Sequence, residues 1–216
     1  MKPSNYLILS LILIPILCAV AALNGGGYLP HVAVPVTCIL LVAFFCGRSV
    51  RRTRWLLIAA LLFSIAGDWM LKHRGGDEMR FIYGIALFFV AHIGYLAFCL
   101  RNGRIKWLWL TVLLAGYGLF FALMLVPAIG GMEMQVAVLL YMLISCFSLA
   151  AAPGLRFSAV ARWLFTAGIA SIVFSDTLIA LYEFPHKAQW LYACLMMPTY
   201  YAAHILVTAA VLIVKK

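Results

Sequence analysis

Charge is what this chain has least of. Of its 216 residues 10% are charged and only six are acidic, while 67% are hydrophobic and the mean hydropathy is +1.09. That balance excludes an ordinary soluble domain, in which about a quarter of residues carry charge. No linker or low-complexity tract interrupts the chain, which leaves no room for a separate soluble domain. Several chemistries are excluded with equal economy, because GxSxG, HExxH, CxxC and a phosphate loop ending in GK[ST] are all absent. The glycine-rich "LNGGGYLP" follows no strand and reads as a loop. Cys18, Cys38, Cys46, Cys99, Cys146 and Cys194 all fall within apolar runs and read as small packing residues.

What is present is a series of eight apolar runs, near 6–23, 31–47, 55–72, 80–100, 106–126, 133–152, 160–182 and 189–214. A hydrocarbon core about 30 Å thick needs roughly 20 such residues per helix. Transmembrane strands would instead alternate in polarity over about ten residues. The expected fold is therefore an all-α integral membrane protein, a bundle of eight transmembrane helices forming one transmembrane domain over residues 1–216. The first run, after Lys2, also has the small-residue sequence "CAVAAL" of a signal-peptide cleavage site. It is read as a helix because a duplication, described below, needs it.

The net charge of +10 is distributed by side. With eight spans, the even loops and the termini hold twelve basic residues: Lys2, Arg48, Arg51, Arg52, Arg54, Arg101, Arg104, Lys106, Arg156, Arg162, Lys215 and Lys216. The odd loops hold four, Lys72, Arg74, Arg80 and Lys187. This asymmetry predicts both termini in the cytoplasm, with the lipid bilayer and not a nucleic acid as the partner of the basic loops. Compactness and short loops point to a prokaryotic inner (cytoplasmic) membrane. The sequence leaves the oligomeric state open.

All six acids, Asp68, Asp77, Glu78, Glu133, Asp176 and Glu183, fall toward the opposite side, and four of them lie at or beyond run ends. Asp68 in "FSIAGDWMLKH" and Asp176 in "FSDTLIAL" do not. A carboxylate in hydrocarbon costs at least ~2.5 kcal/mol on insertion scales, so each needs a reason. The two motifs echo one another, and "AHI" at Ala91–Ile93 recurs at Ala203–Ile205, with 24 residues from Asp68 to His92 and 28 from Asp176 to His204. Two parallel four-helix repeats, related by an axis along the membrane normal, would produce this pattern.

Counted along ideal helices, Asp68 and Asp176 lie about 6 and 9 Å inside the outer ends, and His92 and His204 roughly 18 and 22 Å inside. Two carboxylates would share one level and two imidazoles another. Facing carboxyls in a partly dry pocket cannot both ionise cheaply, so such a pair can act as acid and base together. Lys72, four residues after Asp68, offers the bland alternative of local neutralisation. Asp176 has no basic residue at i±3 or i±4. The histidines, flanked by Tyr95, Tyr200, Tyr201 and Thr208, are open to structural hydrogen bonding, to substrate or proton handling, or to metal binding. The roughly 10 Å difference in depth argues against a shared metal, and no cofactor is expected. Ser64, one turn before Asp68, lacks a nearby base.

Taken together, "GDWML" at Gly67–Leu71, "FIYGIALFFVAHIGYLAF" at Phe81–Phe98, "FSDTLIAL" at Phe174–Leu181 and "TYYAAHILV" at Thr199–Val207 resemble the YhhN-like lysoplasmalogenase family of multi-pass membrane proteins. The resemblance implies hydrolysis of the vinyl ether of a lysoplasmalogen to a fatty aldehyde and glycerophosphoethanolamine or glycerophosphocholine, with a lysophospholipid as substrate. It also implies functional roles for Asp68 and Asp176, with His92 beside them; His204 stands in the looser final motif. Vinyl ethers cleave after protonation at carbon, through an oxocarbenium ion that water captures, which suits a neutral acid beside an anion. Asp176, without a nearby cation, is assigned the acid; Asp68, helped by Lys72, the anion. His92, His204, Tyr200, Lys72 and Arg80 are the expected substrate contacts, the cations together with Arg74 meeting the phosphate. A proton-coupled transporter or exporter is the alternative, and a membrane scaffold a third that leaves both aspartates unexplained.

Overall fold

The computed structural model describes residues 29–185 and 189–214, with isolated positions 13, 16, 17, 20 and 21 before them. Apart from those positions the expected first span, 6–23, lies outside the described residues, as do Cys18, Lys187 and both chain ends. Among the described residues the chain forms seven α-helices and no strand: α1 (Leu29–Phe45), α2 (Arg54–Lys72), α3 (Glu78–Asn102), α4 (Trp107–Phe120), α5 (Met132–Ala151), α6 (Ala159–Glu183) and α7 (Gln189–Ile213). Six of them, α2 to α7, are long and apolar enough to cross a membrane, α4 by continuing through a π-helical turn at Phe121–Leu125. Helix α1 is shorter, at 17 residues.

Short connections make neighbours antiparallel. Between α2 and α3 the chain reverses at Gly75 (φ 57°) and Gly76 (φ 85°), a left-handed backbone that glycine adopts without a Cβ clash. Asp77 then caps α3, its Oδ1 accepting from the amides of Met79 (2.9 Å) and Arg80 (3.3 Å). Helices α1, α2, α3, α5, α6 and α7 contact one another in that order, and α7 returns to α1, so six helices close a ring with α4 outside α5. The α2–α3 and α6–α7 contacts are the most extensive in the ring, and the α5–α6 contact is the lightest.

Small residues allow the closest approaches. A Cβ on Gly94 of α3 would meet the Leu56 carbonyl of α2 at 2.9 Å, and one on Gly168 of α6 would meet the Ala203 carbonyl of α7 at 3.0 Å. The main core, with Leu57, Ala60, Phe98, Phe165, Ile169 and Val207, fills the half of the ring nearest the basic loops. The other half, nearest Lys72 and Glu183, holds a smaller cluster around Phe81, Ile129 and Val138 and, beside it, a hollow.

Candidate active site

Polar side chains on the ring's inner faces converge where the solid core ends. Asp68 projects from α2, and its Oδ2 accepts a 2.8 Å hydrogen bond from the Tyr200 hydroxyl of α7. Asp176 projects from α6, and its Oδ2 accepts from the Tyr141 hydroxyl of α5. His92 of α3, fully buried, brings Nε2 to 3.7 Å from the same Asp176 oxygen, while its Nδ1 lies 2.7 Å from Ser148 Oγ on α5. Asp68 and Asp176 are within electrostatic reach of each other, but no hydrogen bond joins them among the described residues.

The expected separation into a carboxylate level and an imidazole level fails for His92. Counting rise per residue ignores that side chains lean toward the N-terminus of their helix. Helices α2 and α6 end at the hollow side, so Asp68 and Asp176 lean inward; α3 and α7 begin there, so His92 and Tyr200 lean outward to meet them. Counting 24 residues from Asp68 reaches His92, and counting the same 24 from Asp176 reaches Tyr200. Each of these two side chains approaches the aspartate of the other helix pair.

His204 therefore is not the counterpart of His92. It is fully buried one turn beyond Tyr200, with its ring edge-on to that tyrosine at 4.4 Å, and neither of its ring nitrogens has a hydrogen-bond partner among the described residues. Lys72 is not ion-paired with Asp68; both line a cavity of about 520 Å³ at the hollow end, with His31, Arg74 and Glu183. Arg74 is tied to Glu183 at 2.6 Å and lies over the Phe81 ring. Arg80 is turned away from this cavity, bonding Asp77 at 3.5 Å and the His73 carbonyl at 2.8 Å on the exposed surface. Asp77, Arg80's local partner, thereby accounts for its charge.

Two smaller cavities of about 50 Å³ each flank Asp176 along the loose α5–α6 seam, both lined by Val138, Tyr141 and Ala180. One of them shares Leu71, Phe81 and Ile179 with the large cavity, so those side chains form the wall between the Asp68 side and the Asp176 side. The volume on the Asp68 side lies in the range of small-molecule sites, about 300–1,000 Å³. No cluster of three or more His, Cys, Asp or Glu side chains with metal-binding geometry occurs among the described residues.

Sequence reasoning missed Tyr141 and Ser148. They stand with Ser145 at i, i+4 and i+7 in "YMLISCFS", a polar stripe on one face of an otherwise apolar helix, and that spacing was the available signal.

A helical membrane protein with two partly buried aspartates, each held by a tyrosine in a ring of spans, is the class that fold and site define. Within that class, the YhhN family model matches residues 30–211, and the chain belongs to that family. Neither a curated protein nor a solved structure matches it.

Proposed function

We propose that this protein is a hydrolase of the lysoplasmalogenase type, cleaving the vinyl ether of a lysophospholipid between Asp68 and Asp176. The observation that carries this reading is the pair of aspartates on opposite sides of one apolar wall, one facing a polar cavity and the other an apolar seam. That division suits a lipid whose labile bond joins a headgroup to a hydrocarbon chain. Lys72 and Arg74 would meet the phosphate in the large cavity, and the chain would lie along the α5–α6 seam beside Val138 and Ala180.

Two flanking carboxyls act in a comparable way in glycoside hydrolysis, which also passes through an oxocarbenium ion. Asp176 gives its proton to the alkenyl carbon one removed from oxygen, and the C=C electron pair forms that C–H bond. Positive charge develops on the ether oxygen and its neighbouring carbon, where the Asp68 carboxylate stabilises it. Water adds at that carbon, Asp68 takes the water proton, and the hemiacetal collapses to aldehyde and the glycerol alcohol. Asp68 is the anion in this scheme because it faces Lys72 and Arg74; Asp176 is the acid because Tyr141 and His92, not a fixed cation, surround it.

A proton-coupled transporter is the second reading, and Pro198 inside α7, two residues before Tyr200, favours it by freeing a backbone carbonyl beside the site. Purified protein in detergent, where no gradient exists, separates the two. Release of fatty aldehyde from an alkenyl lysophospholipid supports the hydrolase, and an inert lipid with proton-dependent uptake in vesicles supports the transporter.

A further inference from the structure

Ser148, His92 and Asp176 stand in the order of a hydrolytic triad, with Ser148 Oγ 2.7 Å from His92 Nδ1 and His92 Nε2 3.7 Å from Asp176 Oδ2. A nucleophilic role for Ser148 does not fit its surroundings. The residue has no exposed surface, and it lines neither the large cavity nor the two beside Asp176. A substrate carbon cannot reach it.

The hydrogen bonds run instead in a fixed direction. Ser148 Oγ also lies 2.9 Å from the Ser145 carbonyl, which can only accept, so the hydroxyl proton goes there. The hydroxyl oxygen is then the acceptor toward His92, and Nδ1 must carry the imidazole proton. That leaves Nε2, which makes no hydrogen bond among the described residues, as a lone pair facing Asp176 Oδ2 at 3.7 Å. The Tyr141 hydroxyl donates to the same Asp176 oxygen, and the Tyr141 ring packs edge-on against His92 at 5.3 Å, so one side chain contacts both groups. Apo contacts of this kind are often longer than in the working complex, where they tighten.

From this geometry we infer that Ser148 is a positioning residue that sets the tautomer of His92, so that Nε2 presents its lone pair to Asp176 and can accept and return the proton of the acid in the proposed reaction. This rests on the proposed function for its purpose but not for its geometry. The chain of groups is Asp176 carboxyl to His92 Nε2, His92 Nδ1 to Ser148 Oγ, and Ser148 Oγ to the Ser145 carbonyl. No covalent bond to Ser148 forms at any stage.

The test uses the full chain in detergent, with Ser148→Ala to remove the hydroxyl and Ser148→Thr to keep it. Side-chain ¹⁵N NMR of labelled histidine reports the tautomer without any substrate, and the His92 signals are identified among the five histidines by their loss in His92→Asn. The expected result is a proton on Nδ1 in the parent and in Ser148→Thr, and its displacement to Nε2 or to a mixture in Ser148→Ala. With an alkenyl lysophospholipid, Ser148→Ala should lose about 5- to 30-fold in kcat with KM little changed, and Ser148→Thr should restore most of it. A proton on Nε2 in the parent, an unchanged tautomer in Ser148→Ala, or covalent labelling of Ser148 by a serine-directed fluorophosphonate overturns the inference. A parent that makes no aldehyde but shows the expected tautomers overturns the proposed reaction and leaves the positioning role standing.

Discussion

Asp68 depends on one neighbour. Tyr200 is its hydrogen-bond donor, and the same ring backs onto His204, so Tyr200→Phe removes the hydroxyl while keeping the packing. A hydrogen bond to a charged group is worth about 1.5–3 kcal/mol, so kcat/KM should fall roughly 10- to 100-fold and the thermal midpoint should fall with it, as steady-state kinetics and a melt would show. What the sequence revealed at this scale follows from contrast. A carboxylate stands out in a run of apolar residues because its insertion cost is large, which is why Asp68 and Asp176 were visible. Tyrosine carries no such cost, and Tyr141 was hidden for that reason although it bonds Asp176. Lys72 and Arg80 were visible as charges, but charge alone does not say which way a side chain at a helix end turns; Lys72 faces the large cavity and Arg80 does not.

At the scale of elements, hydropathy alone located the seven described helices, because a bilayer imposes length and apolarity on every span. The run near 55–72 and the helix Arg54–Lys72 differ by one residue at the start, and the run near 160–182 and Ala159–Glu183 by one at each end. Depth was less legible than extent. The lean of side chains along antiparallel helices brings His92 down onto Asp176, a convergence that rise per residue cannot anticipate. Helix pairing rests on small residues and gives another test. Gly168→Ala would set a Cβ 2.7 Å from Val207 Cγ2 and 3.0 Å from the Ala203 carbonyl, forcing α6 and α7 apart, whereas Gly116→Ala on α4 meets open space. Overpacking of this kind costs about 1–3 kcal/mol, so the first variant should lower the thermal midpoint in detergent and the second leave it unchanged.

For the whole molecule, the ring explains why polar groups can be buried here without a soluble domain. Each aspartate is met by the residue 24 positions after the other one, so the α2–α3 pair and the α6–α7 pair serve each other's site. Duplication of a four-helix unit would generate this crossed pattern from the motif echo that the sequence displays, and exchange of α1 with α5, α2 with α6 and α3 with α7 maps the ring contacts onto one another. The same ring sets the large cavity at the end opposite Arg104 and Arg156. If the basic loops face the cytoplasm, then in a Cys194→Ser background Glu133→Cys should react with an impermeant thiol reagent added to intact cells, and Arg104→Cys should react only after lysis; the reverse pattern contradicts the assigned orientation. The central claim is that two separated carboxyls divide acid and anion roles across one vinyl ether, and turnover of an alkenyl lysophospholipid by the purified parent, Asp68→Asn and Asp176→Asn tests it most directly. The account predicts fatty aldehyde from the parent and a loss of about a hundredfold or more in kcat for each variant, the scale of general acid–base catalysis. Turnover within a few-fold of the parent in either variant would contradict it.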